Sequence, residues 1–262
     1  MNTENSIKYL DFCHQLANAA DKISMPSFVE QKNLTIEKKT DGSFVTQADK
    51  QIEEHLSAMI NSKFPSHGFF GEETAHKNAE SDFKWIIDPI DGTHGFMRGM
   101  PIWATLIALE YNQEIITSMI SAPALGSRWW AAKNHGAFKS FKEQISKIEV
   151  STISQISESH ILFTGIKECL KKWPKFQIIL NQAWRERGLG DFWGHCLVAE
   201  GVAESMLDPI VNIWDVAALH LLVSEAGGTM TNESGIKSYT SGHAISSNKS
   251  IHSEIIATLT NL

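Results

Sequence analysis

Trp85-Ile86-Ile87-Asp88-Pro89-Ile90-Asp91-Gly92-Thr93 is the stretch on which the reading of this chain turns. An apolar run ends abruptly in two aspartates, a proline and a glycine, so a strand delivers its acids to a loop. Pro89 fixes φ and Gly92 permits a tight bend, which lets carboxylates three residues apart converge on one cation with the Ile90 carbonyl between them. Hard divalent ions such as Mg2+ take oxygen ligands of these kinds and keep waters or phosphate oxygens in their remaining positions. Taken alone, D-P-x-D-G-T is also readable, as the lesser alternative, as an Asx-type turn.

Two other segments repeat the pattern of acids at element ends. Gly71-Glu72-Glu73 follows the apolar pair Phe69-Phe70, and Glu72 is placed to bridge to the same ions; alone, such a segment reads as a solvated loop. Trp214-Asp215 opens a helix otherwise built of Val216, Ala217, Ala218, Leu219, Leu221, Leu222 and Val223, where an unpaired acid is costly. The competing role for Asp215 is an N-terminal cap, favoured by the helix dipole. Together, three acidic segments suit a two-metal hydrolase better than three unrelated turns, because clustered carboxylates need cations to offset their repulsion.

Outward from this stretch, apolar spacings of three and four predict a helix over residues 5–31, with Ile7, Leu10, Cys13, Ala17, Ala20 and Ile23 on its stripe. Thr46 and Asp49 form a T-x-x-D capping signature for a second helix carrying Ile52, Leu56, Met59 and Ile60, closed by Pro65. Short strands follow over residues 69–70, 83–87, 104–111, 114–121 and 128–132, with Asn112-Gln113 as a hairpin turn. Strand and helix then alternate: strands at 160–164, 203–207 and 243–247, helices at 192–200, 214–225 and 248–262. The pattern predicts an α+β first half over 1–145 carrying most of the candidate ligands, and an α/β second half over 146–262 carrying Asp215.

The chain has 262 residues, is 42% hydrophobic and carries a net charge of -7. It can bury a sizeable core, and without a basic face it is a poor partner for nucleic acid. The N-terminal segment assembles neither a signal-peptide apolar region nor a membrane-length stretch, so the expectation is a cytoplasmic protein with no membrane partner. Three scattered cysteines, Cys13, Cys169 and Cys196, read as reduced core thiols.

These blocks, in this order and spacing, resemble the inositol monophosphatase superfamily: Gly71-Glu72-Glu73, Asp88-Pro-Ile-Asp91-Gly-Thr93, Trp214-Asp215 and Glu225-Ala-Gly-Gly228, supported by Lys38 and the Thr46/Asp49 segment. The resemblance implies a five-layered αβαβα sandwich, two to three Mg2+ ions per site and a homodimer. It also implies that Glu72, Asp88, the Ile90 carbonyl, Asp91 and Asp215 are metal ligands and that Asp49 is an outer acid helping to hold a weaker ion. Thr93 then orients, with Glu72, a water for in-line attack on phosphorus, and the Gly92-Thr93 amides receive phosphate oxygens.

Aligning the Leu197-Val198-Ala199 and Trp214-Asp215 blocks with the family puts Asp191 and Asp208 on the leaving-group side of the ester. The Gly99–Leu109 run, Arg128-Trp129-Trp130-Ala131, Gly190-Asp191 and the 203–209 segment resemble the histidinol-phosphatase branch. Histidinol phosphate bears an amine and an imidazole, for which an acidic pocket flanked by Trp103 or Trp193 offers ion pairing and ring contact. That branch often has Arg or Lys after D-G-T; here His94-Gly95-Phe96 follows, so the basic contact is absent or supplied by Arg98, and His94 is as readable as a surface histidine as a substrate contact. Arg185 is a candidate for closing the pocket from a partner subunit, against the reading of a solvated turn. The alternatives are an inositol or broad-specificity sugar or polyol monophosphatase, and a metal-stabilised binding protein without turnover.

Overall fold

The computed structural model describes residues 4–30, 35–39, 44–73 and 77–260. Its centre is a seven-stranded sheet whose strands follow one another in chain order: Gly68–Gly71, Phe83–Asp91, Ala104–Tyr111, Glu114–Ala122, Ser127–Ala132, Gly136–Phe141 and Gln144–Ile148. The first pair is parallel and the rest antiparallel. A five-stranded mixed sheet runs in the order Arg185–Gly188, His160–Phe163, Ser205–Asp208, Ala244–Ser247, Thr229–Thr231.

Side chains along a strand alternate between faces, and both sheets sort their apolar residues accordingly. Trp85 and Ile87 join the core under helices Leu10–Val29 and Gln47–Lys63. Ile86, with Leu106 and Ala108, faces the opposite way onto helices Asp191–Ala199 and Ile213–Glu225. Those two helices lie between the sheets, and Met230 and Ala244 of the second sheet close the same core. On the far side, Ile161, Phe163, Leu207 and Ile245 pack against helices Ile166–Lys172, Phe176–Gln182 and His252–Thr260. Helix, sheet, helix, sheet, helix is the expected five-layered sandwich, and residues from both sides of position 145 share its central core.

Local chemistry sets the element ends. The predicted capping box at Thr46 is present: Thr46 Oγ1 accepts from the Asp49 amide, and Asp49 Oδ2 accepts from the Thr46 amide at 2.8 Å. Asn112 and Gln113 adopt positive φ of 49° and 64°, as a two-residue hairpin turn requires.

The departures have local causes. The first long helix buries Phe12, Cys13, Leu16, Ala17, Ala20 and Ser24, while Ile7 is exposed in a separate short helix, Glu4–Ile7; residue 31, the predicted end, lies outside the described residues. The hairpin Gly136–Ile148 was not expected from its polar sequence, because its turn, Lys142-Glu143 at φ 47° and 68°, lacks the usual Asn or Gly. The last helix starts at His252 rather than Asn248, whose side chain instead donates to Ser151 Oγ and the Ile153 carbonyl; its predicted end, residues 261–262, lies outside the described residues.

Candidate active site

In a regular strand, residues three apart point to opposite faces, so Asp88 and Asp91 should diverge. They do not, because the pairing between Phe83–Asp91 and Ala104–Tyr111 shifts register between Asp88 and Asp91. The Pro89-Ile90 step is a bulge that turns Asp91 back toward Asp88. Thr105 Oγ1 ties down the Pro89 carbonyl at 2.8 Å, and Thr93 Oγ1 donates to the Ile90 carbonyl at 2.9 Å. Gly92 then takes a positive φ of 87°, where an added Cβ would come 2.9 Å from the Ile102 carbonyl oxygen. The short helix Thr93–Met97 starts immediately after it.

Asp215 arrives from the other side, in the first turn of the helix Ile213–Glu225. It is both cap and site residue: Oδ2 accepts the Asn212 amide at 2.6 Å. Asp88, Asp91 and Asp215 each offer an oxygen within 4.8 Å of the other two. Glu72 reaches the cluster electrostatically from the end of the strand Gly68–Gly71, raising the pKa of Asp88, Asp215 and Asp49. Gly71 is needed there for space, since a Cβ would overlap the buried Glu53 carboxylate, whose Oε2 accepts the Glu73 amide at 2.8 Å.

The electrostatics is that of acids lacking counter-charge. Burial, then the neighbouring carboxylates, hold Asp88 and Asp91 well above the usual range. Burial pushes Asp215 up to about 7, Asp208 to about 8 and Asp49 to about 6. Asp88 Oδ1 and Asp49 Oδ1 are buried without a hydrogen-bond partner. An all-oxygen set of close, largely buried carboxylates, with unpartnered oxygens on Asp88 and Asp49, fits a hard divalent cation.

Beside the triad opens a cavity of about 430 Å³, whose wall includes Asp91, Asp215, Asp191, Asp208, Glu168 and His195. It is tied together across the fold, as the Phe192 amide donates to Asp91 Oδ2 at 2.6 Å. Asp191 starts its helix with a φ of 58°, and Asp208 ends its strand with Oδ1 accepting from Thr164 Oγ1 at 3.3 Å.

The inositol monophosphatase family model matches residues 8–262. The chain belongs to that family. It is 37% identical to a histidinol-phosphatase of Streptomyces coelicolor (96% of this chain, 97% of the relative) and 35% identical to one of Mycobacterium tuberculosis (93% and 95%). Among solved structures, a Thermotoga maritima IMPase superposes with a TM-score of 0.86 at 28% identity, covering 96% of each chain. As a member of the inositol monophosphatase family the protein is a phosphatase, a hydrolase of phosphoric monoesters.

Within this family member, Asp88, Asp91 and Asp215 meet, with Glu72 and Asp49 close enough to perturb them. His94 lines the cavity beside Asp191, whose pKa burial raises and the nearby His94 lowers in part. Several candidates lie elsewhere. Lys38 is exposed, and it is Lys39 that pairs with Glu72, at 2.8 Å, and with Glu73. Two adjacent lysines point opposite ways, and the sequence does not say which faces inward. Trp103 is 0% exposed and packs edge-on against Phe96 and at a tilt against Phe28, in the core beneath the first helices, so its ring does not line the cavity. Trp193 packs on the central core. Arg98 and Arg185 are exposed, the latter on the edge strand of the smaller sheet, and neither is in the cavity wall. Lys39, Thr164, Glu168 and His195 were missed; none stands in a motif with the acids, and only tertiary contact brings them to the site. Among the described residues, no helix is long and apolar enough to cross a membrane.

Proposed function

We propose that the protein is a Mg2+-dependent histidinol-phosphatase that hydrolyses its ester by direct in-line attack of water on phosphorus. The observation that carries the substrate reading is the acidic character of the cavity beyond the triad, where Asp191, Asp208 and Glu168 line the wall. Carboxylates there match a leaving group bearing an ammonium, and similarity to two histidinol-phosphatases supports the same choice.

Glu72, Asp88, Asp91, Asp215 and the Ile90 carbonyl would hold the ions, with Asp49 stabilising the outermost. Mg2+ supplies Lewis-acid activation of the ester and of the attacking water, and offsets charge on the departing oxygen. Thr93 donates a hydrogen bond to the Ile90 carbonyl, which leaves its oxygen lone pairs to accept a hydrogen bond from the water and orient it, with Glu72 as the second acceptor. The Gly92-Thr93 amides bind phosphate oxygens, and the carboxylates of Asp191 and Asp208 hold the amine end. Lys39, bonded to Glu72 and Glu73, keeps those acids neutralised and positioned. The same reading takes the enzyme as a cytoplasmic homodimer serving histidine biosynthesis.

A second reading, an inositol or broad polyol monophosphatase, uses Asp191 and Asp208 as hydroxyl acceptors instead. Steady-state kinetics on histidinol phosphate and inositol 1-phosphate separates the two. Asp208→Ala should lower kcat/KM for histidinol phosphate about 10- to 100-fold more than for inositol 1-phosphate; equal losses remove the reason for preferring the amine substrate. Activity should vanish in EDTA and return with Mg2+, and persistence in chelator would contradict the metal assignment.

A further inference from the structure

His195 carries a polar atom that the chemistry above leaves unused. It lies four residues beyond Asp191, one turn further along the same helix, and forms part of the cavity wall. The residue is 1% exposed, and burial pushes its pKa down to about 3, so the ring is neutral near pH 7. Nδ1 is 2.7 Å from Ser246 Oγ on the strand Ala244–Ser247, while Nε2 is buried with no hydrogen-bond partner.

The tautomer follows from Ser246. That hydroxyl is fully buried, and among the described residues its partner is His195 Nδ1. A buried hydroxyl proton needs an acceptor, so Ser246 donates to Nδ1 and the ring proton sits on Nε2. The result is an orphaned buried donor on a ring that lines a substrate-sized cavity, a feature folded proteins rarely leave unexplained.

We infer that His195 Nε2–H donates a hydrogen bond to a neutral acceptor atom on the leaving group of the ester, a hydroxyl oxygen or an unprotonated ring nitrogen, and so selects leaving groups that carry one. Opposite a bound ammonium, which favours their ionised form, Asp191 and Asp208 can only accept; His195 supplies the complementary donor. The inference rests on the proposed reading of this cavity as the substrate site.

The test compares wild type with His195→Phe, which keeps a ring of similar size and removes the N–H. Two esters are used: histidinol phosphate, and O-phosphoethanolamine, which retains the phosphate and ammonium but lacks any further acceptor. The loss of kcat/KM on histidinol phosphate should exceed the loss on O-phosphoethanolamine by at least about tenfold, chiefly through KM, because an enzyme group built to pair with a substrate atom discriminates strongly against its absence. Equal losses on both esters, or none on either, overturn the inference. If His195→Phe does not fold, Ser246→Ala, which frees the ring to change tautomer, must show the same selective loss for the inference to stand. A wild-type enzyme inert on histidinol phosphate sinks the substrate reading alone, and the same comparison with inositol 1-phosphate in its place then decides the role of His195.

Discussion

Replacing Asp88 by Asn should stabilise the protein stripped of divalent cations while abolishing its activity. Asp88 is 2% exposed, its Oδ1 lacks a hydrogen-bond partner, and it shares a 4.8 Å sphere with Asp91 and Asp215. Two unit charges at 4.8 Å repel by about 3.5 kcal/mol at an effective dielectric constant of ~20. The metal-free cluster relieves part of that by taking up protons, as the rise of Asp215 to about 7 indicates. The net relief on neutralising Asp88 is therefore smaller, about 2 kcal/mol, or a rise of ~4–8 °C in melting temperature for a chain of this size. The Asn amide can also donate to a neighbouring carboxylate, which Asp88 in its ionised form cannot. Thermal unfolding of wild type and variant in EDTA and then in Mg2+ reads both effects. Wild type should gain stability on adding Mg2+ and the variant should gain little. A variant that melts no higher than wild type in EDTA, yet responds fully to Mg2+, would refute the argument that these acids are held together against their own repulsion for the sake of a cation.

The pH dependence of the metal-free protein should run in an unusual direction above neutrality. Asp215 and Asp208, raised to about 7 and 8, hold protons that the unfolded chain has already lost, so their contribution is full below pH ~4 and falls as pH rises toward 8. Between pH 6.5 and 8 the melting temperature in EDTA should fall and the gain from Mg2+ should widen; a gap that stays constant would contradict the assignment. His195, lowered to about 3, acts oppositely, costing stability as pH drops below ~6.5, which is why the window starts there. Gly92→Ala forces a side chain into φ 87° and to within 2.9 Å of the Ile102 carbonyl, so kcat should fall at least about tenfold as the Gly92-Thr93 amides shift, with a melting temperature lower by several degrees. Near-normal kcat would mean that this turn does not position the phosphate.

How the cluster could be read from sequence, and its surroundings could not, is visible in particular residues. Asp88 and Asp91 announce themselves because a β-run followed by D-P-x-D-G-T is a local pattern, and Asp215 because an acid at the head of an apolar helix is conspicuous. Strand and helix periods likewise exposed an α+β first half and an α/β second half in layers, since each apolar face had to be covered by another, while the count of five layers came from the family resemblance. The hairpin at Lys142-Glu143 escaped because its turn uses residues without a turn signature.

What the amino-acid sequence determined by itself was the placement of Asp88, Asp91 and Asp215 at element ends, and the alternation of strands and helices, because both are encoded in short-range spacing. Tertiary structure alone decided which lysine meets Glu72, that Trp103 is core, and that Thr164, Glu168 and His195 share one cavity with Asp191 and Asp208. Those contacts join helices and strands far apart in the chain, and no local periodicity records which residue of a helix will face a cavity formed only once two sheets have closed around it.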